Sequence, residues 1–376
     1  MTHLPPSSTD VLIVGAGIAG ASLAAALAPY RRVLLVEAED APGYHATGRS
    51  AAFWHETYGG AGVQPLSVAS FAMLNDPPRL FSDRGFLSPR TALNLARRED
   101  AAAVDAFTAR FAAQGVPVER MAGAAIERLV PGLRPEWSEA AYEPACSDID
   151  VGALHAAYLR AAARGGAVLA TRARLDGARR TGAGWEVRLG TSVVHADAIV
   201  NAAGAWADRV AEACSAAPIG IRPYRRTVAQ VRLGVPIPAS LPLVVHLGGD
   251  FYFKGTGEGR IWLSPHDETP SEPCDAAPEE LDVALAIDRL QQVVDWPVAA
   301  VERKWAGLRS FAPDRLPVFG ADPHAAGFYW CAGQGGFGIQ TSPAIAGLLA
   351  AELGAPAPDR VIAAVDAAPF APSRFF

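Results

Sequence analysis

The chain has 376 residues, more than a single hydrophobic core usually organises, so two domains are expected. Half of the residues are apolar and 19% are charged, as in an ordinary soluble globular protein, and a net charge of −6 with no offsetting basic run excludes nucleic acid as a partner. The four cysteines (Cys146, Cys214, Cys274, Cys331) are far apart and form no CxxC pair, which excludes a zinc site or a disulfide frame and fits reduced thiols in a cytoplasm.

Residues 11–28 are uncharged over about the length of a membrane span. Three glycines and a serine interrupt them, no Lys or Arg precedes them, and Pro29 ends them, so neither a signal peptide nor a transmembrane segment is expected. They read instead as a βαβ unit. Residues 11–14 form a strand buried on both faces, and the turn GAGIAG at 15–20 opens a small-residue helix. Residues 33–36 form a second apolar strand ending in Glu37. In such a unit Gly15 permits the tight turn, Gly17 admits a pyrophosphate to the backbone, and Gly20 lets helix and strand pack closely. Free N–H groups near Ala19 bind phosphate, and Glu37, followed by Ala38, accepts hydrogen bonds from a ribose. This motif does not separate NAD from FAD.

Residues 43–54, GYHATGRSAAFW, lack helical periodicity where an NAD domain proceeds to another helix. Thr47, Gly48, Arg49 and Ser50 are turn formers with donors to offer, which suits a loop wrapped along the second half of a dinucleotide. Residues 198–206, AIVNAAGAW, read as a buried strand breaking into a small-residue turn that lets backbone approach a cofactor.

Residues 227–233, 243–247, 250–254 and 260–264 read as strands divided by glycine turns, an antiparallel sheet, and residues 278–296 as an amphipathic helix. Arg225 and Arg226 are adjacent at a strand start, so only one can face inward, and the residues alone do not choose. Arg309 lies in an apolar run, WAGLRSF, where a guanidinium is better explained by an anion than by solvent.

Near the end, residues 328–332 form a buried strand followed by the glycine-rich turn GQGGFG, with Ser342 expected as the cap of a helix that has Pro343 at its first position. A glycine turn feeding a helix N-terminus is an anion site, and a reduced flavin ring is such an anion. One ligand bound by both ends of the chain is more easily FAD than NAD.

Taken together, VGAGIAGAS, GYHATGRSAA, NAAGAW, WAGLRSFAPD and GQGGFGIQTS resemble the D-amino-acid oxidase superfamily of flavoproteins, and most closely its bacterial D-arginine dehydrogenase branch. The resemblance implies an α/β (α+β overall) fold: a Rossmann-like FAD-binding domain with an inserted antiparallel-sheet substrate domain. Residues 1–75, 146–220 and 306–376 would form the first, and 76–145 and 221–305 the second. It implies non-covalent FAD held along Ala46, Thr47, Gly48, Arg49, Ser50, Ala51 and Ala52. Ala203, Gly204 and Trp206 would approach it from the second stretch. Gly335, Gly336, Phe337, Gly338, Ile339, Gln340 and Thr341 would approach it from the third.

On the substrate side the resemblance picks Arg226, which with Arg309, Tyr58 and Tyr252 would clamp an α-carboxylate. The Gly336 carbonyl and Gln340 would hold the amine. Two positions depart from the D-arginine enzymes: Ala92 stands where they carry a glutamate for the guanidinium, and Phe53 where they carry a histidine, with His55 two residues on as a partial substitute. The implied activity is oxidative deamination of a D-amino acid with an apolar side chain, by hydride transfer to the flavin. A glycine, sarcosine or 2-hydroxy-acid enzyme of the same fold, and a non-catalytic flavin subunit, stay open. So do the electron acceptor and peripheral membrane association.

Overall fold

The computed structural model describes residues 5–376. One eight-stranded sheet carries the βαβ unit. Its central strand, Ser8–Val14, runs parallel to Val33–Val36 on one side and to Ser192–Asn201 on the other; Phe328–Ala332 continues the parallel set beyond them. These strands are buried nearly throughout because helices cover one face while the hairpin strands Leu175–Thr181 and Gly184–Leu189, with the short helix Ala207–Ala213, cover the other. That is why they read as unbroken apolar runs. The helix Ile18–Leu27 lies close on the sheet: a Cβ on Gly20 would stand 1.9 Å from the Gly15 carbonyl oxygen. The strand ends at Val14, Asn201 and Ala332 all point to one edge, where ligands of parallel sheets bind.

The second sheet has nine strands. Its backbone is a long antiparallel pair, Arg222–Leu233 against Val298–Phe311, in unbroken register from Arg222–Phe311 to Gln230–Arg303, with shifts beyond that point. The expected strands appear as Leu243–His246, Tyr252–Gly257 and Arg260–Ser264. The sheet is mixed, however, and not purely antiparallel. Leu243–His246 pairs in parallel with Ala92–Ala96, a strand from a distant part of the chain that reaches the edge by a crossover. The amphipathic helix spans Glu280–Val293, and its buried Val283, Ala286, Leu290 and Val293 share a core with Val231, Phe253 and Ile261. A small third sheet joins Phe53–Trp54, Ser147–Ile149 and Leu87–Pro89.

The helix after the glycine-rich turn differs from the sequence reading. It starts at Gly338, one turn earlier than Ser342, and Pro343 lies inside it. Proline leaves the Ile339 carbonyl without its backbone donor, and the Ser342 hydroxyl donates to that oxygen instead at 2.9 Å. The serine therefore repairs the helix rather than capping it. Among the described residues no helix is long and apolar enough to cross a membrane.

Candidate active site

A cavity of about 510 Å³ runs from the first glycine turn to the last. At its start, Gly15 has φ +102° and a Cβ there would stand 2.5 Å from the Ala202 oxygen, so only glycine lets the NAAGAW turn close on the first one. Glu37 accepts from the Ala16 N–H at 2.9 Å and from the Glu39 N–H at 3.0 Å, which fixes its carboxylate beside the turn. Thr47 reaches back from the loop, and its Oγ1 accepts from the Ile18 N–H at 2.9 Å. His155, which the sequence reading missed, donates from Nε2 to the Ala16 oxygen at 2.9 Å and lies directly under Gly43. Burial pushes its pKa down, so it serves as a neutral strut between turn and loop.

Gly17, Ala19, Ala38, Ala46, Ser50 and Ala51 line the cavity on the turn and loop side. Ala203, Gly204 and Trp206 face them, and Gly335, Gly336, Gly338 and Ile339 close the far end. Several expected contacts are not on this wall. Gly20 packs on Gly15, Gly48 donates its N–H to the Gly43 oxygen at 2.8 Å, and the Ala52 N–H donates to the Ser50 hydroxyl at 3.1 Å. Phe337 is buried against Phe311 and Val63, and Thr341 donates to the Phe337 oxygen at 3.0 Å. These five hold the shape of the cradle. Arg49 is on the wall, but its guanidinium pairs with Asp275 and donates to the Ala276 and Ala306 oxygens at 2.7 and 3.1 Å. It ties the loop to the segment before the long helix and is not free for a phosphate.

At the far end two guanidiniums converge. Strand alternation decides between the paired arginines: Arg225 goes to the outer face, to Glu279 and to Asp282 at 3.0 Å, while Arg226 turns inward and is 4% exposed. Arg226 stands opposite Gly307 and Tyr224 opposite Arg309, so Arg226 and Arg309 are diagonal neighbours on one face. Arg226 donates from Nε to the Asp267 oxygen at 2.7 Å and from Nη2 to Glu268 at 3.1 Å, but its buried Nη1 has no partner among the described residues. Arg309 donates to the Tyr58 hydroxyl at 2.8 Å and makes no ion pair among the described residues. The buried Tyr252 hydroxyl also has no partner among the described residues. Burial, then the charge of Arg309, pushes the Arg226 pKa down to about 10. Burial and the same two cations push His266 down to about 3; this neutral ring, also missed in the sequence, donates from Nδ1 to the Gly249 oxygen and lies edge-on to Tyr252. Gly336 is compulsory here, because a Cβ would stand 2.1 Å from the Tyr58 hydroxyl and 3.1 Å from Arg309 Nη1.

Beyond the clamp the expected side-chain pocket is filled. Ala92 is 0% exposed, packed with Ala51, Cys146, Leu243 and Tyr252, and does not reach the cavity. Phe53 stands edge-on to Tyr252 and Tyr58. His55 is no substitute for the family's histidine: its Nε2 is bound to Glu143 at 3.0 Å, and the ring is buried behind Tyr58. Gln340 likewise faces away from the cavity, with its amide on His55, Tyr58 and Ser67. Lys254, also missed, donates to the Ala51 oxygen at 2.8 Å and to Asp148 at 2.6 Å, which anchors the loop end to the second sheet.

Residues 10–352 match the FAD dependent oxidoreductase family. The chain belongs to that family. It is 27% identical to the glycine oxidase of Geobacillus kaustophilus, covering 100% of this chain and 98% of the relative. The crystal structure of glycine oxidase from that organism superposes with a TM-score of 0.85 at 25% identity, covering 99% and 100% of the two chains. The hydrogen cyanide synthase subunit HcnC of Pseudomonas aeruginosa is 30% identical over 58% of this chain and 51% of its own.

As an FAD dependent oxidoreductase the chain uses the cavity for FAD, and the cradle fits it. A carboxylate stands beside the first glycine turn, the glycine-rich backbone is open to phosphate, and a second helix start lies at the other end. The expectation of a non-covalent link has a physical basis in Cys331, which of the two cavity-lining cysteines, Cys274 and Cys331, is the one beside the glycine loop. It is fully buried, its pKa is pushed up to about 12 by burial, and it accepts from the Gln334 amide, so it is a poor nucleophile. Acid precipitation should therefore release all the yellow colour to the supernatant; colour retained in the pellet would contradict this.

Proposed function

We propose that this flavoprotein oxidises the Cα–N bond of small α-amino acids, namely glycine and D-amino acids with short apolar side chains. The product imine is then hydrolysed by water to a 2-oxo acid and ammonia. The observation that carries the reading is the pair of converging guanidiniums with two unsatisfied donors, Arg226 Nη1 and Tyr252 Oη, in the cavity wall. Arg226 keeps one N–H without a partner and Arg309 has no ion pair among the described residues, and a substrate carboxylate supplies an acceptor to both at once.

When bound, the flavin supplies a hydride acceptor. Arg226, Arg309 and the Tyr58 and Tyr252 hydroxyls fix the carboxylate, and the backbone at Gly336 borders the place left for the amine. Fixed in this way, the substrate reacts by proximity and orientation, with little need of a side-chain base. A flavin subunit without chemistry of its own has no use for such a clamp. The likeness to glycine oxidase supports a small substrate, and so does the packing around Ala92. D configuration is supported by the resemblance of the flavin loop and the WAGLRSF strand to D-arginine dehydrogenases.

Glu143 is committed to His55, Thr57 and the Glu56 N–H, Glu56 bonds Gln64, Asp267 beside Arg226 accepts from Thr227, and Glu268 pairs with Arg226 and Arg315. None of these carboxylates is left for a guanidinium or ammonium side chain. In a panel of glycine, sarcosine and both enantiomers of alanine, leucine and arginine, glycine or D-alanine should exceed D-arginine in kcat/KM by about tenfold or more, or roughly 1.4 kcal/mol. A preference for D-arginine, or for L enantiomers, would overturn the substrate assignment and leave the carboxylate clamp standing.

A further inference from the structure

Glu143 is 0% exposed and has no part in the chemistry above. It ends the strand Glu139–Glu143 of the second sheet, opposite Ala92, yet its hydrogen bonds all cross to residues 55–57. His55 Nε2 stands 3.0 Å from its carboxylate, the Thr57 hydroxyl donates at 2.9 Å and the Glu56 N–H at 2.8 Å. Burial alone would push its pKa up, but these partners outweigh it and hold the group below the usual carboxylate range, so it is ionised at neutral pH.

The same turn is gripped from the other side. Gln340, on the helix Gly338–Glu352, accepts from the His55 N–H at 3.1 Å and donates to the Tyr58 oxygen at 3.4 Å, while the turn itself closes with the Tyr58 N–H donating to the His55 oxygen at 3.0 Å. What the turn presents is Tyr58, whose hydroxyl touches Arg309 and clears Gly336 with no room to spare. An apolar side chain opposite Ala92 would fill that space without a desolvation cost, so a buried carboxylate there points to a task beyond packing.

We infer that Glu143, through His55 and Thr57, is a positioning residue that holds Tyr58 on Arg309 and thereby sets the affinity of the carboxylate site. The inference rests on the clamp reading of Arg226 and Arg309. His55 acts in the same chain of contacts and does not touch substrate.

A double-mutant cycle on the FAD-loaded enzyme tests it, with acetate as a minimal carboxylate probe followed by the change in flavin absorbance. Tyr58→Phe should weaken acetate binding about tenfold, and Glu143→Gln by a similar factor. The double variant should be no weaker than Tyr58→Phe alone, because both changes undo one contact. Losses that multiply would overturn the inference, as would wild-type affinity in Glu143→Gln, while the clamp reading survives. Wild-type affinity in Tyr58→Phe would overturn the inference alone, whereas wild-type acetate affinity in Arg309→Met would remove the clamp reading and the inference with it. If Glu143→Gln does not fold, Thr57→Val, which deletes a single hydroxyl contact, replaces it in the cycle, with about a threefold loss expected and the same non-additivity required.

Discussion

Arg309→Met is expected to lower kcat/KM by roughly 30- to 1000-fold, or about 2–4 kcal/mol of transition-state binding, while FAD content stays at one per chain. The side chain makes no ion pair among the described residues and its one polar partner is the Tyr58 hydroxyl, so the variant strands little protein polarity and chiefly removes a charge-assisted bond to substrate. Arg226→Met should do the same, with more loss of stability because the Asp267 oxygen and Glu268 lose a buried donor. Arg225→Met is the control. Its guanidinium faces Glu279 and Asp282 on the outer side of the sheet, and kcat/KM should stay within about threefold of wild type. Near-wild-type kcat/KM in Arg309→Met would place that residue outside the site.

Gly336→Ala should be nearly as damaging by a different route. The added methyl would overlap the Tyr58 hydroxyl at 2.1 Å and press on Arg309 Nη1 at 3.1 Å, forcing both clamp groups aside. Misplacing a reacting constellation by about 1 Å costs on the order of 100-fold, so kcat/KM should fall by at least that much. The glycine also lines the far end of the FAD cavity, so FAD content is measured alongside and the loss is read per bound flavin. A Gly336→Ala enzyme with normal turnover would mean that Tyr58 and Arg309 do not meet substrate where the structure places them.

What the sequence made legible was the chemistry held in contiguous runs. GAGIAG between two apolar strands, the loop after Glu37 and the GQGGFG turn each appear where their composition puts them, because local backbone demands for glycine and small residues are written locally. Strand alternation also settles, once the strand is seen, why Arg226 and not Arg225 faces the cavity. The misreadings concern pairings between distant segments. Ala92 looked like a pocket position, but burial against Cys146 and Leu243 comes from strands that meet only in the folded sheet. His55 looked available because Glu143, its partner, lies 88 residues away. The parallel pairing that makes the second sheet mixed is equally non-local. His155 carried one faint signal, a place on a helix capped by Asp150, but nothing in the run names the Ala16 oxygen as its target.

The most direct measurement of the central claim is anaerobic mixing of the FAD-loaded enzyme with glycine, D-alanine and L-alanine. The account predicts that glycine and D-alanine bleach the yellow flavin band without any added acceptor, that L-alanine does not, and that the bleaching rate collapses in Arg309→Met. A flavin that stays oxidised with every α-amino acid tried, or one that bleaches equally fast in Arg309→Met, would contradict it.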